Sequence, residues 1–261
     1  MTSTPATQLP GPSGTRFADV EWFTTIDSTN QYLLEQARGG RRAPLVAVAD
    51  AQTAGRGRLD RTWLAPAGAS LLVSVVVQPK MAVEQWPRLL GAAGLSAVEV
   101  VTRLCDVPAQ LKWPNDVVVG DRKLAGLLAE VAGDSVVLGM GLNLEWSSFP
   151  SAIADTATAI SLLGGRVPSR RVLLHAWLER LDYWLGLLER DALGAKVLLR
   201  HQRSRSATLG RDVRVELPQR VIEGMATDLT TAGELEVVDG AGVNHVVGVG
   251  DVVHVRAQPE R

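Results

Sequence analysis

The longest apolar run of this sequence has the length of a β-strand. Residues 70–78 read SLLVSVVVQ, and the near-continuous valine and leucine predict a strand buried on both of its faces. A second apolar run, Val136–Leu144, is of similar length. Both are far shorter than the roughly 20 residues that cross a bilayer, and the N-terminus lacks a basic region followed by an apolar stretch. We therefore expect a covered central sheet, with no membrane span and no secretory signal.

The composition is that of an ordinary globular protein, and it narrows the class of partner. The chain has 261 residues, a formal net charge of −1 and one cysteine, Cys105. A net charge so close to zero provides no general basic field for nucleic acid, so we expect no nucleic-acid partner. A single cysteine excludes an internal disulfide and a cysteine-rich metal site, as is usual in a reducing compartment. The expected location is the cytoplasm.

The hydrophobic pattern divides the chain into a large and a small domain. Residues 1–16 are rich in Thr, Pro, Gly and Ser, and we expect a disordered tail because so little apolar surface cannot offset the entropy of ordering. Residues 17–207 alternate between strand and helix patterns and form the larger predicted domain. The predicted strands are Trp22–Thr25, Leu45–Asp50, Ser70–Gln78, Asp116–Val119, Arg122–Val131 and Ser135–Leu144, and the predicted helices are Thr29–Arg38, Pro87–Leu104 and Ser169–Arg190.

Beyond Ala207 the pattern changes to short valine-rich strands separated by turn residues such as Asp239-Gly240. Their spacing of roughly 10 residues is typical of a small β-barrel. The predicted strands are Val213–Leu217, Val221–Asp228, Glu234–Val238, Asn244–Val247 and Val252–Arg256. We therefore predict a second domain over residues 208–257, followed by a short tail at residues 258–261.

A loop of glycine and arginine lies between two of the predicted strands. Residues 52–58 read QTAGRGR. Gly55 and Gly57 free the backbone to bend around an anion, while Arg56 and Arg58 provide guanidinium groups for carboxylate or phosphate oxygens. No Gly-Lys-Ser/Thr follows, so the segment is not a Walker phosphate-binding loop. The alternative is an ordinary solvated surface loop.

Residues 112–116, KWPND, lead into a predicted hairpin whose two-residue turn is Gly120-Asp121. In that hairpin Asp116 lies opposite Ala125, and strand alternation places both on one face with Lys123. Asp116 and Lys123 are then diagonal neighbours, roughly 7–8 Å apart. A carboxylate and an ammonium beside a small residue suit the wall of a ligand site. The alternative is a plain turn whose tryptophan belongs to the core.

Two further segments carry polar groups that local structure does not use. The run at 139–143, GMGLN, closes a buried strand, where glycines allow a ligand to approach the backbone and Asn143 can reach phosphate or adenine. A simple bulge is the alternative. In the run at 27–31, DSTNQ, Ser28 and the glutamine have the spacing of a helix capping box. Capping explains Ser28 and leaves Thr29 and Asn30 for another partner.

In this order the motifs resemble those of bacterial biotin protein ligases, and most closely those of the actinobacterial members. They are Asp-Ser-Thr-Asn at 27–30, Gln-x-x-Gly-Arg-Gly-Arg at 52–58, Lys-Trp-Pro-Asn-Asp at 112–116, Arg-Lys-Leu-Ala-Gly at 122–126 and Gly-x-Gly-x-Asn at 139–143. The resemblance extends from Asp19 to Arg256. The sequence departs from some relatives at Leu59-Asp60, where they carry a basic residue and a glycine.

The resemblance implies both a fold and a reaction. The implied fold is α+β, a mixed sheet with helices like that of class II aminoacyl-tRNA synthetases, followed by an SH3-like β-barrel. Biotin and MgATP are implied to form biotinyl-5′-AMP and pyrophosphate. A lysine of a biotin carboxyl carrier domain, from an acyl-CoA or pyruvate carboxylase, then attacks the mixed anhydride. Cations that offset the repulsion between a carboxylate and a triphosphate are the expected catalysts.

The matched motifs also imply roles for individual residues. The implied catalytic residues are Arg56, Arg58, Lys112, Asp116 and Lys123, with Asp116 as general base or orienter in the second step. The implied biotin-binding residues are Ser28, Thr29, Asn30, Gln52, Gly55, Arg56, Gly57, Arg58, Lys123 and Gly126. The implied ATP- or AMP-binding residues are Arg58, Arg61, Trp63, Asn115, Asp116, Lys123 and Asn143. No metal is expected to be held by the protein alone, and Asp116 is a candidate to contact the Mg²⁺ carried by ATP.

Several alternatives bear on this interpretation. Some members of the family also repress transcription through an added N-terminal helix-turn-helix domain. Only 26 residues precede Asp27, so we expect a monofunctional ligase without that domain. Lipoate or octanoate ligases share the implied fold and chemistry, but the Lys-Trp-Pro-Asn-Asp motif argues against them. A non-catalytic biotin sensor is the alternative outside the enzymes, and the presence of Arg58, Asp116 and Lys123 argues against it. We expect a monomer or a weak homodimer.

Overall fold

The larger domain is built on one mixed sheet of eight strands. The structure, a computed structural model, describes residues 4–41, 43–217, 219–248 and 251–254. The strands are β1 (Thr7–Pro10), β2 (Asp19–Ile26), β3 (Leu45–Gln52), β4 (Ser70–Val77), β5 (Gln110–Lys112), β6 (Asp116–Val119), β7 (Arg122–Ala132) and β8 (Ser135–Asn143). They lie in the order β1-β2-β3-β4-β8-β7-β6-β5, and only β2 and β3 run parallel.

Helices cover both faces of this sheet. They are α1 (Thr29–Arg38), α2 (Pro87–Cys105), α3 (Arg170–Arg190) and α4 (Ala192–Ser204). Leu33 and Leu34 of α1 pack on one face, and the apolar sides of α2 and α3 pack on the other. Every residue of β4 and β8 is buried, which confirms the prediction made from the apolar run at 70–78. No helix within the described ranges is long and apolar enough to span a membrane.

The helix ends follow from side chains that bond to free backbone groups. The Ser28 hydroxyl accepts a hydrogen bond from the Gln31 N–H at the start of α1, which confirms the predicted cap. Ser169 caps α3 in the same way. The helix α4 is absent from the predicted elements. It begins after Asp191, whose carboxylate accepts from two backbone N–H groups, and it buries Leu198 in the main core.

The C-terminal part forms a separate antiparallel sheet of five strands. These are β9 (Asp212–Glu216), β10 (Val221–Leu229), β11 (Leu235–Asp239), β12 (Asn244–Val247) and β13 (Asp251–His254), in the order β12-β11-β10-β9-β13. Their inward-facing residues form a second core. Together with the mixed sheet, this confirms the predicted α+β class with a C-terminal barrel. The ends of the predicted last strand, at 255–256, and the predicted tail at 258–261 lie outside the described residues.

The prediction of a disordered tail at residues 1–16 is wrong for the part that the structure describes. Residues Thr7–Pro10 form strand β1, which pairs antiparallel with β2 from Thr7 opposite Trp22 to Pro10 opposite Asp19. Arg16 also pairs with Glu189, with Nη1 2.9 Å from Oε1. The physical reason is that β2 offers a free row of backbone donors and acceptors, which the segment pairs while Leu9 packs against the main core.

The predicted register of the β6–β7 hairpin holds only near its turn. Asp116 lies opposite Gly126, not opposite Ala125, because the ladder shifts between Val117 and Val118. Such a bulge places one extra residue in β7 and reverses which side chains face the site. Ala125 therefore packs in the main core, and Gly126 faces the cavity. The long Lys123 side chain still reaches Asp116, with Nζ 2.7 Å from Oδ1, as expected for two side chains on one face.

Candidate active site

A cavity of about 490 Å³ lies on the sheet face that carries α1. Its floor is formed by β4, β7 and β8, and the first residues of α1 form one wall. Two connections, residues 52–64 and 112–116, border it, and residues 149–157 approach from another side. Glu216 of β9 also lines the cavity, so the barrel contributes to its rim.

The structure brings nearly all of the predicted site residues to this one cavity. Those that line it are Ser28, Thr29, Asn30, Gln52, Arg56, Gly57, Arg58, Arg61, Trp63, Lys112, Asn115, Asp116, Lys123, Gly126 and Asn143. Gly55 is the exception, because it is buried within the loop and does not line the cavity. A Cβ at Gly55 would lie 2.4 Å from the Trp63 carbonyl oxygen, so a glycine is needed there for close packing of the backbone.

Neutral polar groups cluster where α1 meets the sheet. Gln52 Oε1 accepts hydrogen bonds from the Thr29 backbone N–H at 2.8 Å and from the Thr29 hydroxyl at 3.0 Å. Thr29 Oγ1 also lies 2.8 Å from Ser74 Oγ, and Ser74 donates to Asn30 Oδ1 at 2.6 Å. Ser74 is a member of this cluster that the sequence analysis missed. The available signal was a serine within the otherwise apolar β4.

The loop after β3 folds back on itself and sends its two arginines to different partners. Gly57 N–H donates to the Arg61 carbonyl at 2.7 Å. Arg58 Nη1 donates to Asn115 Oδ1 at 3.1 Å. Arg56 instead pairs with Glu130, with Nη2 3.0 Å from Oε1. The sequence predicts that both guanidinium groups surround one anion. In the structure Arg58 lies near the turn at 112–116, whereas Arg56 lies beside Glu130.

The Trp63 indole rests on a cross-strand pair of glycines. Gly126 of β7 lies opposite Gly141 of β8, and a Cβ at either position would come within 3 Å of the ring. Lys123 Nζ lies 5.5 Å from the ring centroid. The indole N–H is buried, and no described residue accepts a hydrogen bond from it. The ring thus presents an aromatic surface to the cavity, while its N–H faces Gly141.

The charged end of the cavity is formed by the β6–β7 hairpin and the turn before it. Lys123 Nζ lies 2.7 Å from Asp116 Oδ1, and both side chains are partly exposed. Lys112 is half-buried beside them. Burial lowers the pKa of the Lys112 ammonium, and attraction to Asp116 and Asp121 opposes that shift. This end therefore combines cations for a bound anion with the carboxylates of Asp116 and Asp121.

Two asparagines of the site already make structural hydrogen bonds. Asn115 Nδ2 donates to the Leu127 carbonyl at 2.8 Å, which fixes the turn against β7. Asn143 is buried, and its Nδ2 donates to the Thr158 carbonyl at 3.0 Å. Asn143 therefore holds the segment after β8 against the end of the sheet.

The tryptophan of the KWPND turn joins the site to the barrel. Trp113 Nε1 donates to the Gly233 carbonyl at 3.0 Å, and its backbone N–H donates to Thr208 Oγ1 at 3.0 Å. Its ring packs against the barrel core. Both interpretations of this residue are thus partly met, since Trp113 is a packing residue that also lines the cavity.

Other lining residues were not predicted. Phe149 and Ile153 come from the segment after β8, which carries no motif and little periodicity. Among the described residues, no group of three or more His, Cys, Asp or Glu side chains could hold a metal ion. Asp116 is the carboxylate nearest to the cationic groups, so a divalent cation would need further oxygens from a bound phosphate.

Comparison with protein families gives two matches. A model of the biotin/lipoate A/B protein ligase family matches residues 22–144, and a model of the biotin protein ligase C-terminal domain matches residues 208–255. The first match contains every motif named above, and the second covers the strands of the barrel.

Comparison with individual proteins agrees. The biotin–[acetyl-CoA-carboxylase] ligase of Mycobacterium tuberculosis is 41% identical over 251 residues, covering 94% of this chain and 91% of the relative. The bifunctional ligase/repressor BirA of Escherichia coli is 32% identical, over 80% of this chain and 66% of the relative. The structure of the Aquifex aeolicus biotin protein ligase in complex with biotin and ATP superimposes with a TM-score of 0.81 at 28% identity, covering 90% of this chain and 99% of that one. This chain belongs to the biotin protein ligase family.

Proposed function

We propose that this chain is an ATP-dependent ligase that forms biotinyl-5′-AMP from biotin and ATP and transfers biotin to a lysine of a biotin carboxyl carrier domain. The observation that carries the proposal is the division of a single cavity. Neutral donors and acceptors around Thr29 and Gln52 lie at one end, and the charged pair Lys123–Asp116 lies at the other. The Trp63 ring lies between them on its glycine pair.

The neutral end suits the ring system of biotin. A ureido group carries two N–H donors and one carbonyl acceptor, so it needs both kinds of partner. We assign Ser28, Thr29, Asn30 and Gln52 to this role, and Gly126 gives the Trp63 ring close access to β7 beside the ligand. The apolar remainder of the ligand would then extend along the sheet towards Lys123.

The charged end suits the reacting groups. We assign Gly57, Arg58 and Lys123 to the biotin carboxylate and the α-phosphate, with Lys112 in support. Arg61, Trp63, Asn115 and Asn143 are assigned to the nucleotide. Magnesium would enter on the triphosphate and would neutralise phosphate charge when bound, and Asp116 is the carboxylate that we assign to hold it.

In the first step a carboxylate oxygen of biotin attacks the α-phosphorus of ATP. The new P–O bond forms as the bond to pyrophosphate breaks, and negative charge accumulates on the phosphoryl oxygens. Lys123 stabilises that charge because Asp116 fixes its ammonium before the reaction begins, and Arg58, held by Asn115, closes over the adenylate once it has formed. The difficulty of the step is the mutual repulsion of two anions, which these cations offset.

In the second step a neutral lysine amine of the acceptor attacks the acyl carbon. The C–O bond to AMP breaks, the amide forms, and AMP leaves as an anion. The amine loses one proton as it becomes an amide, and Asp116 is the group we assign to accept or orient it. The barrel rim at Glu216 marks the side from which the carrier domain would approach. The identity of the carboxylase that supplies this domain is a prediction, and so is a cytoplasmic location.

The test is the exchange of labelled pyrophosphate into ATP. We expect exchange that depends on biotin, followed by addition of one biotin mass to an isolated carrier domain. Exchange that depends on lipoate or octanoate instead would select the other ligase class of this fold. Biotin binding without any exchange would select the non-catalytic sensor.

A further inference from the structure

Glu130 of β7 bonds to two separate parts of the site although it is not among the residues that line the cavity. Its Oε2 accepts a hydrogen bond from Asn30 Nδ2 at 2.9 Å. Its Oε1 lies 3.0 Å from Arg56 Nη2. The carboxylate is 22% exposed, so water screens it only in part. One carboxylate therefore joins the first turn of α1 to the glycine-arginine loop.

The contact with Asn30 extends to the cavity floor. Asn30 is buried, and its Oδ1 accepts from Ser74, which in turn contacts Thr29. With Nδ2 committed to Glu130, the amide has only one orientation in which both bonds form. A Cβ at Gly139 would lie 2.1 Å from Asn30 Oδ1, so a glycine on β8 is required for this placement.

The contact with Arg56 takes that guanidinium away from the role predicted for it. Arg56 Nη1 donates to Gln31 Oε1 of α1 at 3.0 Å, and Arg56 Nη2 contacts Glu130 of β7. Glu130 neutralises the Arg56 charge locally. Arg58 makes its contact with Asn115 on the other side of the same loop. The two arginines thus connect the loop to both sides of the cavity.

We infer that Glu130 is a positioning residue for biotin. It orients the Asn30 amide and, through Arg56, holds the loop of residues 52–63 over the bound ligand. Arg56 in this scheme fixes the loop and is not a ligand of the biotin carboxylate. The inference rests on the proposed function, because the ligand that the loop would retain is biotin and its adenylate.

The scheme predicts a specific kinetic pattern. A loop that is held less firmly releases ligand faster, but Lys123, which stabilises the transition state, lies on the β7 strand and stays where it is. Glu130→Gln keeps the shape of the side chain and removes its charge. We expect its KM for biotin and the release rate of biotinyl-5′-AMP to rise about 10-fold, the worth of a charge-assisted hydrogen bond. The kcat of adenylation at saturating biotin should stay within about threefold of wild type.

The second variant is Arg56→Met, which acts from the exposed loop and leaves the buried side of the network intact. It should reproduce the part of the Glu130→Gln effect on KM and release that comes from the loop, and the double variant should be no worse than Glu130→Gln, because both remove the Glu130–Arg56 contact. The matched control is Asp228→Asn, which breaks the partly exposed Arg203–Asp228 pair of the barrel. That control should leave both constants unchanged.

The measurements are steady-state pyrophosphate exchange for KM and kcat, and trapping of released adenylate with hydroxylamine. Unchanged KM and release in both variants, or strictly additive effects, would overturn the inference. A fall in kcat alone would do the same, because it would place Glu130 in the chemical step. Absence of biotin-dependent exchange in the wild type would contradict the proposed function instead, so the two failures are distinguishable.

Discussion

Lys123 and Asp116 face each other across the β6–β7 hairpin, with Nζ 2.7 Å from Oδ1, although the bulge places Lys123 three residues from Gly126, the residue opposite Asp116. Each group holds the other in place before any ligand arrives. When an anion binds, the ammonium can contact it without searching for a rotamer. The carboxylate remains beside the reacting centre, where it can take part in the later proton transfer.

The first prediction concerns the Lys123 ammonium. Lys123→Ala should lower the rate of adenylation about 10²-fold or more, the scale found when one preorganised oxyanion donor is removed. Lys123→Arg should not restore the full rate, because a planar guanidinium replaces a compact charge and cannot reproduce its contact with Asp116. Steady-state pyrophosphate exchange measures both. Lys80→Ala is the control, since Lys80 is exposed and outside the cavity. A rate within a few-fold of wild type for the alanine variant would contradict the assignment.

The second prediction separates synthesis of the adenylate from its retention. Arg58 lies on a loop, whereas Lys123 lies on a hairpin strand. Arg58→Ala should weaken adenylate binding by about 1.5–3 kcal/mol, which corresponds to roughly 10- to 100-fold faster release while synthesis continues. Released anhydride should then biotinylate exposed lysines of added albumin. The exposed Arg38→Ala variant should not do so. If Arg58→Ala loses pyrophosphate exchange as fully as Lys123→Ala does, Arg58 acts in the chemical step.

The third prediction compares two glycines, one at which an added Cβ would clash and one at which it would meet open space. A Cβ at Gly141 would lie 2.4 Å from the Trp63 ring, so Gly141→Ala must displace the indole. We expect KM for biotin or ATP to rise about 10-fold, which is the upper end of an aromatic packing contact. A Cβ at Gly186, inside α3, meets no heavy atom within 4 Å. Gly186→Ala should raise the free energy of unfolding by about 0.5–1 kcal/mol and leave KM unchanged. Kinetics and chemical denaturation check the pair, and equal effects on KM would refute the role of Gly141.

The fourth prediction concerns pH. Burial lowers the pKa of Lys112, so its amine loses its charge at a lower pH than an ordinary lysine. Adenylation at saturating substrate should decline as the pH rises through that value, if the charge supports the reaction. Lys112→Arg should extend activity to higher pH, because arginine stays protonated. The unfolded chain binds this proton more tightly, so the contribution of Lys112 to folding stability increases with pH over the same interval. Identical alkaline limbs for both proteins would remove Lys112 from the catalytic set.

Local pattern was sufficient to predict the elements that frame the site. The apolar run of β4, the helix cap at Ser28 and the turn at Gly120-Asp121 each depend on residues close together in sequence, and each lies where it was expected. Motif resemblance then supplied the residues that converge on the cavity. Both kinds of signal can be read from one short segment at a time.

What could not be predicted depends on contacts between distant segments. Glu130 and Arg56 are far apart in the sequence, and nothing local to either one indicates a pair. The bulge in β7 arises from the fit between three strands, so strand alternation alone assigned Ala125 to the wrong face. Strand β1 forms because the edge of β2 is open, and that edge exists only after the sheet has folded.

Trp113 links the barrel to the turn that carries the charged residues of the site. Because its indole is anchored in the barrel while Lys112 and Asp116 flank it in the cavity, the small domain cannot rotate without carrying the turn along. The two domains should therefore not behave as interchangeable modules. A chimera that exchanges the barrel for that of a relative must supply a carbonyl where Gly233 now stands, or the graft will fold and yet leave its catalytic groups misaligned.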